Sequence, residues 1–101
     1  MIQNLTSRTI IKTIEDNKNE IRKYGVKKIA LFGSFFKKTN HKQSDLDFLV
    51  KFKDPTFDNY IELKFLLERL FRKKVDLIIE ENLKPSLRYL RREALYAKAN
   101  L

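Results

Sequence analysis

Residue order alone points to an α/β (α+β) fold in a single small domain, one β-sheet covered by helices. Apolar runs short enough for strands lie at residues 26–32, 46–52 and 75–79, and around them apolar side chains recur at helical spacing. The resulting order is helix, strand, turn, strand, helix, strand, helix, and each apolar helix stripe has to be buried against a sheet. A chain of 101 residues is long enough for one such core and too short for two, so one domain is expected over residues 1–101.

Thr6 or Ser7 can cap a first helix that carries Ile10, Ile11, Ile14 and Ile21 on one side and stops at Gly25. Residues 26–32 follow as a buried strand. After Gly33-Ser34, the polar and basic stretch 35–44 reads as a helical turn and then a loop. In the second strand Leu46, Phe48, Val50 and Phe52 alternate with Asp45, Asp47, Leu49 and Lys51; the first set is expected to face the core and the two acids to share the opposite face. Asp54-Pro55 breaks this strand, with Pro55 in the first turn of a long amphipathic helix. Its stripe is Leu63, Leu66, Leu67, Leu70 and Phe71, and it ends near Lys73. Residues 75–79 form a third short strand. Leu83, Leu87, Leu90 and Ala94, at spacings of four, three and four, predict a last helix.

Composition narrows the chemistry. Cysteine is absent, so disulfides and thiolate metal sites are excluded, and a single histidine does not make the usual zinc ligand set. Hard cations with oxygen ligands remain. Residues 1–6 lack a basic segment followed by a long apolar core, and nowhere do eighteen apolar residues run together, so a soluble cytoplasmic protein is expected. The net charge of +9 favours an anionic partner. Lys12, Lys64, Arg88 and Arg92 fall on helix faces left exposed, and no helix-turn-helix, zinc-finger or aromatic RNA-binding signature accompanies them. The charge therefore reads as solvated surface ahead of a nucleic-acid footprint.

The residues that carry chemistry are few and closely spaced. Asp45 and Asp47 stand two apart on a strand, point to one face, and repel one another unless a cation intervenes; they are candidate ligands of the same metal ions. Gly33 and Ser34 end the preceding strand, where a glycine lets backbone approach a phosphate and a serine offers a hydroxyl and a nearby N–H. Lys37 and Lys38 follow closely enough to neutralise phosphate charge. Asp76 sits inside an apolar run, where an unpaired charge is costly; a metal, or an edge pairing with Lys74, would account for it equally well. His41, in the loop, fits a solvated position better than a general base, and Glu80 and Glu81 fit the start of a helix.

The stretch Ile29-Ala30-Leu31-Phe32-Gly33-Ser34, the triplet Asp45-Leu46-Asp47 with its apolar tail, and Lys74-Val75-Asp76-Leu77-Ile78-Ile79 together resemble the minimal nucleotidyltransferase (MNT) family, the smallest members of the DNA polymerase β nucleotidyltransferase superfamily. Leu83-Lys84-Pro85-Ser86-Leu87 is similar to the start of that family's last helix. The resemblance implies a polymerase β-like fold with a mixed sheet that presents the acids at its open face. It implies Mg²⁺, two ions, held by Asp45, Asp47 and Asp76, with Asp76 as the third acidic position that helps deprotonate the acceptor. Gly33 and Ser34 would clamp the triphosphate, and ATP would donate AMP to a tyrosine hydroxyl of a HEPT-domain toxin, so that the chain acts as an antitoxin in complex with that toxin. Many relatives follow Gly-Ser with a small residue and then Arg-Gly, where this chain has Phe36-Lys37-Lys38. Lysine keeps the charge but loses the planar fork, and the missing glycine bears on the path of the loop. Two other readings stay open: a binding module that neutralises its partner by contact alone, and a subunit that modifies nucleic acid or a small molecule.

Overall fold

The computed structural model describes residues 5–98. Helices α1 (Ser7–Asp16) and α2 (Lys18–Arg22) lead into strand β1 (Val26–Phe32). One helical turn, α3 (Ser34–Lys37), precedes β2 (Leu46–Phe52), and α4 (Phe57–Phe71) connects it to β3 (Val75–Ile79). Two 3₁₀ segments, Glu80–Asn82 and Pro85–Arg91, then carry the chain to a two-residue strand, β4 (Leu95–Tyr96). The sheet runs β3-β2-β1-β4. It is mixed, because β2 lies antiparallel to β1 and parallel to β3, while β4 returns antiparallel on β1. The parallel pair needs a crossover, and α4 supplies it. No described helix is long and apolar enough to cross a membrane.

The alternation expected in β2 holds on the helix-covered face. Leu46, Phe48, Val50 and Phe52 are buried there with Ile10, Ile14 and Ile21 of α1 and α2 and with Leu63, Leu66, Leu67 and Phe71 of α4. The other face is only partly open. Leu49, Ala30 and Phe32 are buried on it beneath Leu83, with Leu90, Ala94 and Tyr96 packed against them. The tail thus covers part of the face that the acids share.

Three sequence expectations need correction. The first helix breaks at Asn17, whose side-chain amide donates to the Thr13 carbonyl at 2.8 Å; a short amide side chain competes for backbone partners and interrupts a helix. Its cap is Thr6, one of the two residues expected there, which accepts from the Thr9 N–H. Pro55 precedes the α4 cap, Thr56, and is outside the first turn. Third, the last helix is absent as an α-helix: the stretch winds as 3₁₀ turns, leaving Leu87 exposed, and ends as a strand on β1. Its geometry is set at Glu80. That carboxylate accepts from Arg91 Nε at 2.9 Å and from the Tyr96 hydroxyl at 3.2 Å, pinning the segment at two points that a straight helix would not bring together. Burial, and then the neighbouring Glu80 charge, push the Tyr96 hydroxyl up to about 12, so it remains a donor.

The edge formed by β3 is dressed by α4. The Val75 N–H donates to Glu68 Oε2 at 3.1 Å, and the Leu77 carbonyl accepts from the Tyr60 hydroxyl at 2.7 Å. Because Leu46 N–H bonds the Lys74 carbonyl, the backbone groups of Val75 and Leu77 point away from β2. Nearby, Lys73 ties down the loop before β2, its ammonium donating to the carbonyls of Lys42 and Ser44 at 3.0 Å each.

Candidate active site

Strand directions bring the chemistry to one edge of the sheet. The end of β1 and the starts of β2 and β3 meet there, since β1 opposes β2 and β3 follows it. Asp47 is paired in register with Phe32 on one side and Asp76 on the other, so it sits between the Gly33-Ser34 turn and the third acid. Asp45 lies one residue before β2 and is exposed; Asp47 is half-buried and Asp76 exposed. Both Asp47 and Asp76 keep period-two step with Leu49 and Ile78, which places them on the tail-covered face, beside the apolar patch.

Gly33 has a specific reason to be glycine. Its φ of +76° suits a residue without a side chain, and an added Cβ would run into the Asp47 carboxylate, with Cγ at 2.9 Å and Cβ at 3.1 Å. The turn therefore closes directly on the acid. Ser34 opens α3 immediately afterwards, and its carbonyl accepts from the Thr39 N–H at 2.9 Å.

Burial pushes the Asp47 carboxyl up from 3.8 to about 6, helped by the Asp76 charge, a hydrogen bond shared with Asp76 and the charge of Asp45. Three negative groups converge on one half-buried position, which a cation would relieve. Asp76 makes no ion pair with Lys74 or with any other described residue, so the edge-pairing explanation for it is not realised. Among the described residues no three His, Cys, Asp or Glu side chains form a ready-made metal cluster. The donor set nonetheless suits Mg²⁺, which takes one or two carboxylates and completes its shell with water and phosphate oxygens.

The two lysines differ in placement. Lys37 reaches Glu93 of the tail at 3.7 Å, both side chains being about half exposed. Lys38 ends α3 in the left-handed region at φ 61°, the conformation a glycine takes freely. His41 belongs to a closed turn: its N–H donates to Ser44 Oγ at 2.9 Å and its Nδ1 accepts from the Gln43 N–H at 3.3 Å. Glu80 is engaged by Arg91 and Tyr96 and acts as the anchor of the tail. Sequence reasoning missed the anchoring residues Arg91 and Tyr96, because their partner is defined only once the tail has folded back.

A family model described as the nucleotidyltransferase domain matches residues 10–98. The protein adenylyltransferase MntA of Thermococcus cleftensis is 35% identical over 95 residues, covering 91% of this chain and 96% of that protein. A solved structure named as a candidate minimal nucleotidyltransferase superposes with a TM-score of 0.78 at 30% identity, over 93% of this chain and 98% of the other. A structure of a tri-AMPylated Shewanella oneidensis HEPN toxin in complex with an MNT antitoxin matches at 25% identity and a TM-score of 0.51, over 83% of this chain and 60% of that one.

Proposed function

The chain belongs to the nucleotidyltransferase domain family, in its minimal branch, and is a nucleotidyltransferase; from that premise we propose that it transfers AMP from ATP to a tyrosine hydroxyl of a HEPT-domain (HEPN) toxin and so acts as an antitoxin. The observation that carries the reading is the half-buried Asp47, raised to about 6 between Asp76, Asp45 and the Gly33 turn. Such an arrangement is costly for an unliganded protein and useful to one that holds cations against a triphosphate.

In this reading the tyrosine oxygen bonds to the α-phosphorus as the bond to pyrophosphate breaks, and the hydroxyl proton passes to Asp76. Mg²⁺ held by Asp45, Asp47 and Asp76 would supply the positive charge that offsets the triphosphate and lowers the acceptor's pKa. Gly33 keeps the turn pressed against Asp47, and Ser34 offers its hydroxyl to the phosphates. Lys37 and Lys38 add cationic charge on the same side. The added AMP would place a negative group near the toxin's RNA site and disfavour RNA there.

Intact mass of a cognate HEPT toxin, incubated with this protein, ATP and Mg²⁺, tests the proposal. The expected result is a gain of AMP units that vanishes with Asp45→Asn, Asp47→Asn. The alternative reading is neutralisation of the partner by contact alone. No mass gain, with a tight complex and full protection by the double variant, would establish that reading instead.

A further inference from the structure

Helix α4 buries one side against the sheet and shows solvent a second, ordered seam. Asp58, Glu62, Phe65 and Arg69 follow one another at spacings of four, three and four, with Arg72 at the C-cap just beyond the helix, and all five are exposed. This is the spacing of a helix–helix contact stripe, on the side of α4 opposite Leu63, Leu67 and Leu70. Phe65 at its centre is 52% exposed. Burying that ring against a second apolar surface is favourable.

The charges are arranged antisymmetrically about Phe65. Two acids precede it and two arginines follow it, and among the described residues none of the four has an ion-pair partner within the chain. A second α4 laid antiparallel, with the two-fold axis at Phe65, brings Glu62 within one residue of the partner's Arg69 and Asp58 to the end of the partner helix, where Arg72 caps it, on both sides of a Phe65–Phe65 contact. A parallel copy would instead set like charges together. We propose that the outer seam of α4 is the contact surface of a two-fold, antiparallel dimer of this chain.

The two chains carry +9 each, which opposes association at long range, but the seam itself is neutral, so the opposition is screened by salt while the close contacts persist. The contact is isologous and closes at two copies. It lies across the sheet from Asp47 and Asp76, which share the face of Leu49 and Ile78, and so leaves both acidic edges free.

Sedimentation equilibrium of the full chain over a concentration series tests it. The expected result is a reversible monomer–dimer equilibrium, weakened about tenfold or more by Phe65→Glu, which puts two carboxylates on the axis. Glu62→Arg and Arg69→Glu should each weaken it, and the double swap should restore it to within about threefold, because each arginine then faces a glutamate again. All these positions are exposed, so circular dichroism should be unchanged. A chain that stays monomeric at every concentration overturns the proposal, as does a dimer indifferent to Phe65→Glu or a double swap that fails to recover. So does a monomer whose complex with a toxin requires Phe65.

Discussion

Asp47 concentrates the conflict between stability and chemistry. Its carboxyl titrates near 6 in the folded chain against 3.8 ordinarily, so the folded state binds the extra proton between those values. Stability is then greatest below about pH 4, declines as pH rises through the interval, and carries the full penalty above about pH 6. Replacing Asp47 by Asn should remove that penalty. With the group partly solvated, the gain is on the order of 1 kcal/mol at neutral pH, or several degrees in melting temperature, and it should vanish below about pH 4. Thermal unfolding of both proteins across this pH range checks the sign: a destabilised Asp47→Asn at pH 7.5 would contradict the repulsion inferred for the site. Gly33 shows where sequence could not see far enough. Its spacing to the acids marked it for the phosphates, yet the space its missing side chain leaves is filled by Asp47, a contact between residues fourteen apart that only strand pairing creates.

Among the elements, legibility followed periodicity. Residues 26–32 and 75–79, apolar apart from Lys27, Lys28 and Asp76, became β1 and β3 at those bounds, and the α4 stripe is buried as expected. The tail was misjudged because Leu83, Leu87, Leu90 and Ala94 fit a helical stripe, while the features that decided the outcome, the Glu80 anchor and a strand two residues long, have no period to read. The short helix α3 offers a direct test of local strain. Lys38 holds a left-handed conformation at its end, where a side chain is disfavoured. Lys38→Gly should stabilise the fold by about 0.5–1 kcal/mol, measurable by urea unfolding, and a loss of stability would show that the lysine makes up for its backbone.

For the molecule as a whole, sheet topology explains why so small a chain can carry a site at all. In one mixed sheet with a helix layer beneath it and a pinned tail above it, the end of β1 and the starts of β2 and β3 meet, which brings the acids and the Gly-Ser turn together. Ligand and fold should therefore be coupled. Saturating Mg²⁺ with a non-hydrolysable ATP analogue is expected to raise the melting temperature, by about 2.7 kcal/mol of linkage at a hundred times the dissociation constant. The same additions should leave Asp45→Asn, Asp47→Asn unmoved; an equal rise in that variant would remove the acids from the binding site.

The dressing of β3 by Glu68 and Tyr60 constrains how other molecules can engage this protein. An open strand edge invites any extended peptide to add itself to the sheet, including segments of misfolded neighbours. Here two of the outward backbone groups are already occupied by side chains from α4, so a visiting strand would have to displace them before it could zip on. Recognition at this edge is left to side chains, whose pattern can distinguish one partner from another, and β3 is shielded from the indiscriminate pairing that leads to fibrils.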